Sequence, residues 1–168
     1  MNYNPKTKIN KIVFAALIAA IYSILTISLA PISYGQLQVR VSESLTLLPF
    51  FSSYSILGVF VGCIISNIIG GNGIIDIVFG SLTTLIAAIL TYYIGKSNLR
   101  FKKILAPLPP IILNAIVIGF ILNYTLKLPL FLSMIWVGIG EAISCYILGL
   151  LLVSIIEKNK ILNKYFNN

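Results

Sequence analysis

Long apolar runs with basic ends constrain this chain more than any other feature. The run from Ile12 to Ala30 follows Lys6, Lys8 and Lys11, and the run from Ile74 to Ile94 leads into Lys96, Arg100, Lys102 and Lys103. The last run, from Pro129 to Ile156, ends at Lys158, Lys160 and Lys164. Wound as a helix, about 20 apolar residues match the thickness of a bilayer's hydrocarbon core. Composition agrees: 58% of residues are hydrophobic and 10% are charged, where a soluble domain carries roughly 25% charge. Lipid is therefore the expected solvent, and 168 residues leave room for about five or six crossings with little extramembrane domain.

Charge placement excludes one class of partner. The net charge is +8, but ten of the twelve basic residues sit in the three clusters named above, as in loops retained on the cytoplasmic face, and form no stripe for nucleic acid. The first run is too long for the core of a secretory signal, and Pro31 directly follows the small-residue site Ser28-Leu29-Ala30, so a retained first span is expected. Cys63 and Cys145 each lie in an apolar run with no Cys or His nearby and read as small packing residues. The chain has no His, and neither a metal site, a cofactor nor a catalytic group is expected.

Parity fixes the number of crossings. The amino terminus and the Lys96 to Lys103 loop are both basic and both expected inside, so an even number of spans separates them. The first span and the one from Ile74 count as two, which leaves two short elements for Ser44 to Ile69, meeting near Ser52-Ser53-Tyr54-Ser55. The expected fold is a single all-α integral membrane domain over residues 1–168: a six-helix transmembrane bundle with both termini cytoplasmic. Its spans are placed at about 12–29, 44–52, 55–69, 74–94, 107–124 and 129–156. Between the first two, Leu37, Val39 and Val41 alternate with Gln38, Arg40 and Ser42, the period of a half-buried strand. This segment is expected as an extended extracellular loop capping an outer pocket, because non-helical backbone at membrane depth needs protein or a water-filled cavity beside it. Glycines 70, 71 and 73 around Asn72 mark a turn.

Polar residues in lipid are costly, so they are the candidate site. Glu141 lies near the middle of the last span beside the small residues Gly138, Ala142, Cys145 and Gly149, and must be paired, protonated or facing a cavity. Asn114 is similarly deep in the fifth span and offers a donor and an acceptor, for a pocket or for packing. Asp76 opens its helix, where the dipole alone stabilises a carboxylate. Arg40 and Glu43 either pair with each other or serve the pocket, and Asn67 either caps the glycine turn or reaches inward. Together these residues suit a small molecule held by convergent polar groups in an apolar concavity. On the first helix Ala15, Ala16, Ala19, Ala20 and Ser23 form a strip of small residues, for close packing within the chain or docking of a partner subunit.

The stretches ISYGQLQVRVSESLTLLPFF (32–51), GVFVGCIISNIIGGNGIIDIVFGSLTTLIAA (58–88), PLPPIILNAIVIGFILNY (107–124) and VGIGEAISCYILG (137–149) resemble the QueT family of substrate-binding S components of energy-coupling-factor (ECF) transporters. The resemblance implies a multi-pass protein of the cell membrane that captures a queuosine precursor, a 7-deazaguanine such as preQ0 or preQ1 or a related base. It implies partnership with a transmembrane coupling subunit and two cytoplasmic ATPases, with the Ala15-x-x-x-Ala19 and Ala16-x-x-x-Ala20 pairs matching the family's docking motif. For such a ligand, Glu141 and Asn114 are expected at the donor edge of the base and Asp76 opposite an aminomethyl cation. No GxxxxGK[ST] loop occurs, so the chain lacks that route to ATP hydrolysis. An S component for a vitamin, an intramembrane carboxylate enzyme and a membrane scaffold are the competing readings.

Overall fold

The computed structural model describes residues 5–34, 38–71 and 73–160, together with Leu162 and Phe166. Among these residues all regular structure is helical. Helix α1 (Pro5–Ser28) and the short α2 (Ala30–Ser33) lead to a 3-10 helix, Val41–Phe50, and then to α3 (Tyr54–Ile69). A π-helical turn, Asp76–Gly80, runs into α4 (Ser81–Lys96); α5 (Lys102–Leu105) and α6 (Leu108–Leu126) follow. The last run joins α7 (Leu130–Ala142), a π-helical stretch (Ile143–Gly149) and α8 (Leu150–Lys158).

Among the described residues, four helical stretches are long and apolar enough to cross a membrane: Ile9–Ser28, Asp76–Lys96, Lys102–Leu126 and Leu130–Lys158. Burial is arranged for lipid. Ile74 and Phe131 are each 79% exposed, while Thr26, Glu43, Thr46 and Asn67 are fully enclosed. Hydroxyls inside and isoleucines outside is the polarity of a protein whose backbone and polar groups must satisfy one another because the solvent cannot.

Close approach of backbones holds α1 to α3. An added Cβ at Gly58 would lie 2.8 Å from the Ala15 carbonyl oxygen, and one at Gly62 would lie 2.7 Å from Tyr22 Cβ. Ser23 Oγ donates to the Gly62 carbonyl at 3.1 Å across the same contact. In lipid, where water expulsion drives nothing, such van der Waals contact and interhelical bonding are what associate helices.

The 3-10 helix threads the interior, with every residue from Ser42 to Phe50 buried. It starts at Arg40, whose Nε donates to the Ser33 carbonyl at 3.3 Å, and ends at Phe50, whose backbone lies so close to Gly95 that any side chain there would collide with it. A rise of about 2.0 Å per residue makes such a helix longer than an α-helix of the same residues. Thr46 Oγ1 and Ser44 Oγ bond the carbonyls of Glu43 and Val41 at 2.6 and 2.7 Å.

The expected extended segment is corrected from Val41 onward, where the chain is helical, while Arg40 just before it keeps extended backbone. Leu37 lies outside the described residues; after it, the Arg40 N–H bonds the Gln38 carbonyl at 2.9 Å in a tight turn, with Gln38 at φ +44°, and helix begins at Val41. A lone strand in apolar surroundings leaves its N–H and C=O groups unpaired, and the tight helix satisfies them internally.

Contacts mark the end of the molecule that carries Lys11, Lys102 and Lys103. Lys11 Nζ lies 4.7 Å from the Tyr54 ring centroid, Lys102 Nζ 5.7 Å from that of Phe50, and Lys103 Nζ pairs with Glu157 Oε2 at 2.6 Å. Phe166 packs edge-on against Phe14, joining the carboxyl-terminal segment to α1. At the other end of α3, the Tyr34 hydroxyl donates to the Ser66 carbonyl at 2.6 Å. Gly71 and Gly73 there adopt φ of +67° and +88°, consistent with the expected turn, while Asn72 lies outside the described residues.

Candidate functional site

All six polar residues singled out from the sequence are buried: Arg40, Glu43, Asn67, Asp76, Asn114 and Glu141. They come from five separate helices or turns, and a chain of contacts joins most of them. Cys145 is the junction, with its Sγ 3.6 Å from the Glu43 carbonyl and 3.9 Å from Glu141 Oε2. Asn114 Nδ2 donates to Glu141 Oε1 at 3.1 Å. Asn67 Nδ2 donates to the Asp76 carbonyl at 3.1 Å and approaches Cys63 Sγ at 3.5 Å. Gly80, one π-turn beyond Asp76, sits against both Asn67 and the Asp76 carboxylate.

The pairing of Arg40 with Glu43 does not occur. Among the described residues the ion pair is Lys103 with Glu157, and Arg40 instead spends its Nε on the Ser33 carbonyl and lies 5.5 Å from the Tyr34 ring centroid. Glu43 Oε1 accepts from the Tyr22 hydroxyl on α1. Tyr34, outside the spans, has its phenol pushed above the ordinary range by burial, with Arg40 opposing, and remains a neutral donor.

Four buried side-chain atoms in this region find no hydrogen-bond partner among the described residues: Arg40 Nη2, Glu43 Oε2, Asp76 Oδ1 and Ser81 Oγ. Thr84 stands near Glu43, but its single hydroxyl hydrogen is directed to Cys63 Sγ or the Gly80 carbonyl. Two further such atoms, Ser33 Oγ and Ser55 Oγ, lie at the ends of α2 and α3. A buried polar atom left unpaired costs about 1–3 kcal/mol, more when charged, so several in one place call for a function.

Tyr22, Ser81 and Cys145 were not among the candidates. Tyr22 shares a helix face with Ser23 and Thr26, and that polar strip in an aliphatic helix is the signal that points to it. Cys63 and Cys145 are buried and free, as packing residues would be, yet both also contact the cluster. The four alanines of α1 divide: Ala15 and Ala19 are buried beside α3, while Ala16 and Ala20 face outward. Among the described residues no group of His, Cys, Asp and Glu is arranged to hold a metal.

Residues 12–158 match the QueT transporter family, a span that includes every residue of the cluster. The chain belongs to that family. It is a multi-pass membrane protein of a transporter family, not of an enzyme family. A relative from Lactococcus lactis subsp. cremoris (strain MG1363), the queuosine precursor transporter QueT, is 43% identical over 83 residues. That alignment covers 48% of this chain and 48% of the relative, so the matched stretch spans about half the relative's length. No solved structure matches.

Proposed function

We propose that this QueT-family protein is the substrate-capture S component of an ATP-driven ECF importer, and that its ligand is a queuosine precursor, a 7-deazaguanine such as preQ0 or preQ1. The observation that carries the reading is the set of unpartnered buried atoms on Arg40, Glu43, Asp76 and Ser81. A deazaguanine offers a carbonyl for a guanidinium and an N–H edge for a carboxylate, and preQ1 adds an aminomethyl cation for a second carboxylate. The Lactococcus relative bears the name of a queuosine precursor transporter, which supports this reading.

In this reading the basic ends lie in the cytoplasm and the 3-10 helix counts as the second of six crossings. Tyr34 and the turn at Gln38 to Arg40 then lie toward the outer side. The outward-facing Ala16 and Ala20 dock the transmembrane coupling subunit, which links the protein to two cytoplasmic ATPases; small residues permit the close approach such docking needs.

Calorimetric titration of the purified protein tests the ligand. PreQ1 or preQ0 is expected to bind saturably with one site per chain, and a thermal-shift panel of vitamins to produce no stabilisation. Stabilisation by a vitamin with none by any deazaguanine would replace the ligand and keep the class.

A further inference from the structure

The cluster contains two enclosed glutamates, and their surroundings differ. Glu141 is held by Asn114, which donates to Oε1 at 3.1 Å, while Oε2 lies 3.9 Å from Cys145 Sγ, whose single hydrogen has the Glu43 carbonyl closer at 3.6 Å. Glu43 is engaged through one oxygen, because Tyr22 donates to Oε1 and Oε2 has no partner among the described residues. Glu43 also sits on the 3-10 helix one turn after Arg40, whose Nη2 is likewise unpartnered, and its own N–H bonds the Arg40 carbonyl at 2.9 Å. A donor and an acceptor free in the same turn of backbone match a ligand edge that presents an acceptor beside its donors.

We infer that Glu43, rather than Glu141, receives the N–H edge of the bound heterocycle, and that Tyr22 is the positioning residue that turns Glu43 toward it. The inference rests on the ligand reading given above and assigns roles within it. Oε1 keeps a second lone pair after accepting from Tyr22, so the carboxylate can take the ring N–H and the exocyclic amine together. Arg40 Nη2 donates to the adjacent ring carbonyl. Without the Tyr22 hydroxyl, the Glu43 carboxylate loses the bond that fixes its rotation, and the fork no longer meets the edge. Glu141 and Asn114 form an internal pair that closes the cluster from the side of α6 and α7.

A cycle between side chain and ligand separates the two glutamates. The probes are preQ1 and its analogue lacking the exocyclic amine, 7-aminomethyl-7-deazahypoxanthine, titrated against the full chain in detergent. Loss of a charge-assisted hydrogen bond predicts that the parent binds the analogue at least about tenfold more weakly. In Glu43→Gln that penalty shrinks to about threefold or less; in Tyr22→Phe it falls below the parent's; and in Glu141→Gln it keeps the parent's size. A merely structural Tyr22 would weaken both probes alike and leave the penalty unchanged. Glu43→Asp, which shortens the reach by one methylene, gives the same comparison should Glu43→Gln not fold, with a penalty smaller than the parent's expected. A penalty that persists in the Glu43 variants and vanishes in Glu141→Gln overturns this inference and leaves the ligand reading standing. If the parent binds neither probe, the ligand reading itself falls, and this inference with it.

Discussion

At the scale of single residues, lipid makes charge placement informative. Asp76 opens a π-turn with Oδ1 buried and unpartnered among the described residues, while Asn67 bonds its backbone carbonyl. Opposite an aminomethyl cation such an oxygen forms a charge-assisted bond, worth about 1.5–3 kcal/mol. Asp76→Asn is accordingly expected to weaken preQ1 by about tenfold or more while changing preQ0, whose nitrile carries no charge, by less than about threefold. Paired titrations check this, and equal losses for both bases would remove Asp76 from that role. The candidates were legible because Arg, Asp and Glu are rare inside membranes and each demands a reason. Tyr22 and Ser81 were not, since a tyrosine or serine within an apolar helix has many ordinary explanations. The distinction between Glu43 and Glu141 was hidden too: it depends on which oxygen meets Tyr22, Asn114 or Cys145 across helices far apart in sequence.

At the scale of elements, small residues and tight helices set the spacing. Gly62 meets Tyr22 and the Ala19 carbonyl within 3.0 Å of where a Cβ would stand, so Gly62→Ala forces α1 and α3 apart. Overpacking of this kind costs about 1–3 kcal/mol, and a lower thermal unfolding temperature in detergent, with weaker ligand binding through the displaced Tyr22, is the expected outcome. On the outward side of the same helix, Ala16→Trp is expected to abolish co-purification with the coupling subunit and ATPases while leaving ligand affinity within about twofold of the parent, because bulk there blocks only approach from outside. Retained co-purification would move the docking surface elsewhere. The long helices were readable from hydropathy alone, since their length and polarity answer directly to bilayer thickness. The segment after Tyr34 was not: alternation of Val39 and Val41 with polar neighbours suggests a strand, but no partner strand exists among the described residues to satisfy it. Hydropathy is also blind to the π-helical stretches at Asp76 and just after Glu141, which widen the helix where a carboxylate points inward.

At the scale of the whole molecule, an apolar exterior encloses an interior in which a cluster of polar side chains from α1, the 3-10 helix, α3, α4, α6 and α7 is set among apolar packing. The cationic ends gather around Tyr54, Phe50 and Glu157, away from the Tyr34 and Ser66 contact that lies beside the cluster. Under the proposed function, one end meets the partner and the other admits the ligand. A structure determined with preQ1 present tests the central claim most directly. Ligand density is expected between α1, α3 and α4, within hydrogen-bond distance of Arg40 Nη2, Glu43 Oε2 and Asp76 Oδ1. Density at another site, with those three atoms bonded to protein or water and no base between them, would contradict it.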